Sequence, residues 1–163
     1  MYFVTICTKG RVRWFGEVHD ESMVRSPIGE IVDEELMRVG YLREGARIDS
    51  WIVMPDHVHA IVCIVSSDDM DPVETARSAV STDIAILIPI SRLKARSLGS
   101  IIGSWKAGCS KRIWAAGVKD FRWQERFHDR IIRDEREFQN VQAYIVNNPE
   151  MWCLKRECKF IDK

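Results

Sequence analysis

The chain has 163 residues, 46% hydrophobic and 29% charged, with 24 Lys/Arg against 24 Asp/Glu, a length and apolar content that suit a single domain around one core. It holds no run of about 18 apolar residues, and its start lacks a charged region followed by a small-residue cleavage site, so a membrane-spanning helix and a secretory leader are not expected and a cytosolic protein is. The five cysteines, Cys7, Cys63, Cys109, Cys153 and Cys158, are odd in number and scattered, which argues against a disulfide framework, and Cys153 and Cys158 are too isolated for a zinc site.

Tyr2 to Thr8 is β-branched and aromatic and predicts a first strand, with Lys9-Gly10-Arg11 turning the chain into a second extended stretch over Val12 to Gly16. Ser26-Pro27 predicts a helix start, Ser as N-cap and Pro as the first helical residue. Ile28, Ile31, Val32, Leu36 and Val39 then share one face and Gly40 ends it. Ile48 to Met54 and Val58 to Val65 predict a hairpin turned by Pro55-Asp56, and their near-continuous apolar character implies that both sheet faces are covered.

His57 and His59 interrupt that apolar hairpin. Residues two apart on a strand project to the same side, so both rings can grip one ion. Two imidazoles hydrogen-bonded in a core are the competing reading, and a two-ligand site is incomplete without a partner from elsewhere in the chain.

Residues 66 to 97 break the pattern and read as a long excursion or insertion. From Leu98 a second helix is predicted, with Ile101, Ile102, Trp105, Cys109 and Ile113 as its core stripe. Phe121 to Ile132 reads as a strand or irregular edge, and His128 within it as a surface residue whose polar tip finds a hydrogen bond. Asp134 caps a last helix, with Glu137 three residues on and Phe138, Val141 and Ile145 on its apolar side, until Pro149 stops it. Asn140, Tyr144 and Asn148, four apart, line one edge of this helix. A Tyr whose ring packs and whose hydroxyl merely finds a partner is the plain alternative.

Charge is unevenly spread. Residues 1 to 65 carry 7 Lys/Arg against 10 Asp/Glu, residues 66 to 90 carry 1 against 5, and residues 91 to 163 carry 16 against 9. The basic C-terminal part permits nucleic-acid binding through one face, although a solvated surface is the ordinary explanation.

Taken together, His57-Val58-His59, the blocks Tyr2-Phe-Val-Thr, Met54-Pro-Asp-His-Val-His-Ala-Ile-Val62, Arg126-Phe-His-Asp-Arg-Ile-Ile-Arg133 with Trp123, and Tyr144-Ile-Val-Asn-Asn-Pro149 resemble the single-tyrosine HUH nucleases and transposases, most closely the REP-associated tyrosine transposases of bacteria. The resemblance covers most of the chain except residues 66 to 97. It implies an α+β, ferredoxin-like sandwich with a central antiparallel sheet carrying the HUH motif and a C-terminal helix carrying the tyrosine.

The resemblance further implies Mg²⁺ or Mn²⁺ on His57, His59 and Asn148, and Tyr144 as the nucleophile that nicks single-stranded or hairpin DNA through a 5′-phosphotyrosine. A nucleoid-associated cytoplasmic protein and a possible homodimer go with it. Imidazole ligands favour Mn²⁺ at least as much as Mg²⁺. Lys106, Lys111, Arg112, Arg122, Arg126, Arg130 and Arg133 are the candidates for the DNA backbone, and Trp114, Trp123 and Trp152 for base stacking. Two alternatives stay open: a domesticated hairpin-DNA-binding protein that does not cut, and a hydrolase using metal-bound water, for which Tyr144 would be dispensable.

Overall fold

The computed structural model describes residues 1–42, 45–64 and 97–161, without the side chains of 40–42 and 155–161. The excursion read at 66 to 97 therefore lies outside the described residues, apart from Ser97.

Strict alternation along β5 (His57–Ile64) divides the molecule into two layers. Val58, Ala60 and Val62 face the larger core with Val4, Ile6, Phe15 and Phe121. Ile61 and Cys63 face a smaller one with Ile132, Val141 and Ile145. β5 pairs on one side with β4 (Ala46–Met54) and on the other with β1 (Tyr2–Cys7), which in turn pairs with β6 (His128–Ile131), giving an antiparallel sheet in the order β4-β5-β1-β6. A short hairpin, β2 (Gly16–His19) and β3 (Ser22–Arg25), stands apart from it.

Helices α1 (Pro27–Leu42) and α2 (Leu98–Ala115) cover the larger core, and α3 (Glu135–Val146) the smaller; α4 (Asn148–Ile161) follows directly. With the β2–β3 hairpin set aside, the order β1-α1-β4-β5-α2-β6 is the ferredoxin-like β-α-β-β-α-β pattern with its first strand inside the sheet.

Side-chain caps fix where the helices begin. Ser26 Oγ accepts from Gly29 N (3.1 Å), Ser97 Oγ from Ser100 N (3.2 Å) and Asp134 Oδ1 from Glu137 N (2.7 Å). All five residues of the predicted α2 stripe are buried. A Trp51 Nε1–H donated to Asp33 Oδ1 (2.8 Å) ties β4 to α1, while Arg112 ties α2 to α1 through Glu34 and Glu35. Those carboxylates raise the Arg112 pKa, the Glu34 hydrogen bond most of all.

Three expectations need correction. Val12 to Phe15 is not a strand: the β-structure begins at Gly16 and forms the unpredicted β2–β3 hairpin, turned at Asp20 and Glu21 with φ of 46° and 59°. Its strands are polar and four residues long, so they carry little periodic signal. Gly40 does not end α1, which runs to Leu42; a helical glycine costs only about 1 kcal/mol, which tertiary packing can override. Pro149 does more than stop a helix. α3 ends at Val146, and Pro149 sits in the first turn of a further helix, where a missing N–H is harmless.

One irregularity adjusts the sheet to α3. Ile48 pairs with Val62 and Trp51 with Ala60, so β4 advances three residues while β5 advances two. Asp49 and Ser50 form this bulge, and Gln142 Nε2 donates to Asp49 Oδ2 (3.1 Å) and Ser50 Oγ (3.3 Å).

Candidate active site

His57 and His59 lie on the α3 side of β5 and are buried, 6% and 5% exposed. Each is held from behind. His57 Nδ1 lies 2.6 Å from Asp56 Oδ1, and His59 Nδ1 lies 2.9 Å from Thr5 Oγ1 on the adjoining strand. A carboxylate can only accept, so the His57 proton belongs on Nδ1; the Thr5 hydroxyl can donate or accept, so it serves either tautomer of His59. The two Nε2 atoms converge, 3.0 Å apart, and with both ring protons on Nδ1 their lone pairs face each other.

That convergence fits a divalent cation. Two lone pairs at this distance repel unless a proton or a metal ion lies between them, and nitrogens each about 2.1 Å from one cation at right angles are about 3.0 Å apart. Imidazoles whose far nitrogens are tied to a carboxylate and a hydroxyl are also the usual form of metal-ligating histidines. Among the described residues no three His, Cys, Asp or Glu side chains gather as a metal group.

Tyr144 reaches the pair from α3. Its hydroxyl is 3.5 Å from His59 Nε2, and its ring meets the His59 ring at 5.2 Å between centroids and the edge of Phe3 at 5.9 Å. Phe3 stacks on His59 (5.3 Å, 24°), so Tyr144, Phe3 and His59 brace one another. The tyrosine is 41% exposed, which keeps its hydroxyl accessible to a large substrate. Asn148 is buried, 5% exposed, at the first residue of α4 rather than on α3, and Asn140 is exposed. The edge of three side chains expected on one helix is thus divided by the break at Asn147.

Trp152 of α4 lies over His57 (5.7 Å between centroids), with the Arg13 guanidinium 5.9 Å from its own ring. Of the other stacking candidates, Trp123 packs against Trp105, Phe15 and Phe121 in the core, while Trp114 is 38% exposed.

The basic candidates fall on both sides of the sheet. Lys106, Lys111 and Arg112 are on α2, away from Tyr144, and Arg122 lies over Trp114 of the same helix at 5.2 Å. Lys106 Nζ donates to the Gln124 and Glu125 carbonyls, and burial lowers its pKa although Cys7 acts the other way. Arg126 is exposed ahead of β6. Arg130 on β6, 3.3 Å from Glu137, and exposed Arg133 lie toward the Tyr144 side.

Three participants escaped the reading of the sequence. Asp56 reads as a turn residue, though adjacency to His57 was the available signal. Thr5 and His128 become visible only through strand register, which pairs Thr5 with both His59 and His128.

The solved REP-associated tyrosine transposase bound to a REP hairpin superposes on 92% of this chain with a TM-score of 0.56 at 19% identity. The chain has the fold of that tyrosine transposase. It spans 66% of the transposase's own length. An uncharacterized protein of Haemophilus influenzae is 28% identical over 156 residues, 93% of this chain and 81% of that protein. No family model matches the sequence. As in the sequence-based expectation, no helix among the described residues is long and apolar enough to cross a membrane.

Proposed function

We propose that the chain is a single-tyrosine HUH transposase of the REP-associated kind, which nicks and rejoins single-stranded DNA next to a hairpin. The observation carrying this reading is the Tyr144 hydroxyl 3.5 Å from His59 Nε2, itself 3.0 Å from His57 Nε2. The shared fold with a hairpin-bound transposase supports the substrate class.

In this reading His57, His59 and Asn148 would hold Mg²⁺ or Mn²⁺, which supplies Lewis-acid charge to a phosphate oxygen. Asp56 and Thr5 hold the imidazoles in orientation. Tyr144 Oη bonds to phosphorus as the bond to the 3′ oxygen breaks, leaving a 5′-phosphotyrosine and a free 3′-hydroxyl. Attack of a 3′-hydroxyl on that ester reverses the step and joins strands, so no nucleotide cofactor is needed. Phe3 limits the swing of the tyrosine ring, and Arg130 and Arg133 on the Tyr144 side are cations available to the DNA backbone.

Incubation with 3′-labelled hairpin oligonucleotides and Mn²⁺, followed by a denaturing protein gel and tryptic mapping, tests the reading. It requires a labelled adduct at Tyr144. Cutting without an adduct would point to hydrolysis by water, and hairpin binding without cutting to a domesticated binding protein.

A further inference from the structure

Strand register places more on the Tyr144 side of the sheet than the two histidines. Ile52, His59, Thr5 and His128 are paired residue to residue across all four strands, and Ile61, Phe3 and Arg130 form the next row on the same face. α3 packs on these rows closest to β4 and turns Asn140, Val141 and Tyr144 toward β1 and β6. Between them lies a cleft of about 430 Å³ lined by Phe3, Thr5, His128, Arg130, Asn140 and Tyr144.

We propose that this cleft receives the base of the nucleotide adjoining the scissile phosphate, and that His128 and Asn140 determine which base it accepts. The inference rests on the reading of Tyr144 as the nucleophile. Because Tyr144 forms one wall, whatever fills the cleft sits beside the attacking oxygen. Its volume is within the range of small-molecule sites, about 300–1,000 Å³, and suits one nucleotide rather than a duplex.

The lining chemistry selects the base over the phosphate. Arg130 is the one Lys or Arg among the residues that line the cleft, and Glu137 at 3.3 Å already offsets it. Phe3 gives an aromatic floor, while an imidazole and an amide at the rim each donate and accept, the functions needed to read a base edge on an unpaired strand. Both side chains are exposed and bear on no core cluster, so replacing them should leave the fold intact.

The test uses full-length Tyr144→Phe protein and a pool of single-stranded hairpin oligonucleotides randomised on both flanks of the stem, with the bound fraction sequenced. One flank position should be enriched for a particular base by about tenfold, the discrimination a good base contact gives. Adding His128→Ala or Asn140→Ala should flatten that position alone. 2-Aminopurine placed there should be quenched by Tyr144→Phe protein and not by the Tyr144→Phe/Asn140→Ala protein. No enriched position, an unchanged preference in both double variants, or a loss spread evenly over all positions would overturn the proposal. Adduct mapping on the wild type reports on the nucleophile separately. An adduct elsewhere would overturn the Tyr144 reading, whatever base selection shows; where Tyr144 does react, the enriched position must adjoin the bond it cuts.

Discussion

Tyr144 carries a hydroxyl that its packing does not need, since the contacts to Phe3 and His59 are made by the ring. Tyr144→Phe should therefore keep the unfolding free energy within about 0.5 kcal/mol of wild type and retain hairpin binding while forming no covalent adduct; residual adduct on a denaturing gel would assign the chemistry elsewhere. The residues behind the imidazoles lend themselves to a graded test. Asp56→Asn replaces the carboxylate behind His57 Nδ1–H by a neutral, weaker acceptor, and Mn²⁺ affinity measured by calorimetry should fall about 10–100-fold, as loss of such a supporting carboxylate generally does. His57→Ala should abolish measurable binding, and equal affinity in wild type and Asp56→Asn would show that Asp56 serves only its ion pair with Arg11. At this scale Tyr144, 85 positions from His59, was pointed to by the resemblance and not by spacing, whereas the histidine pair was legible because its spacing is local. Thr5 and His128 were not, because they enter through pairing across 54 and 123 positions of chain, for which a single sequence carries no periodic trace.

The elements were read best where a cap and an apolar stripe agree. α1 and α3 begin behind the expected caps Ser26 and Asp134 and bury Val32, Leu36 and Val39, and Val141 and Ile145, of the stripes expected of them. Where local signals were weak the packing decided instead. Phe15, in a segment with no regular structure, is wholly buried, and its carbonyl accepts from Ser26 N at 2.8 Å, which sets the start of α1. A Cβ added at Gly29 would stand 2.2 Å from that carbonyl oxygen, so the helix can lie there only because Gly29 has none. Gly29→Ala should therefore lower stability by about 1–3 kcal/mol, read as a lower urea midpoint at unchanged slope. An unchanged midpoint would mean that α1 can shift on the sheet at no cost.

For the whole molecule, neutrality and DNA binding are compatible only if cations act locally. The basic candidates divide between the α2 layer and the α3 side, and Arg112 and Arg130 already face carboxylates. Hairpin affinity should fall as salt rises with a log–log slope of about −0.7 for each single-strand phosphate neutralised. Substituting Lys111 on α2 and Lys119 just beyond its end should reduce that slope if the DNA extends round to that layer; a slope altered only by Arg133→Ala would confine the path to the Tyr144 side. Affinity indifferent to salt would remove the electrostatic account altogether.

The bulge in β4 also constrains how the length of this protein can vary. Before it the even-numbered Ala46 and Ile48 face the larger core; after it the odd-numbered Trp51 and Val53 do, so the parity of the strand changes at Asp49-Ser50. Loss of a single residue there would remove the bulge and leave Ala46, Ile48, Trp51 and Val53 in plain alternation on the core face, with only the Gln142 contacts to Asp49 and Ser50 disturbed. A one-residue deletion should thus be tolerated far better at Asp49-Ser50 than elsewhere in β4, and a natural relative that carries one there should keep its apolar and polar positions unexchanged on both sides of the gap.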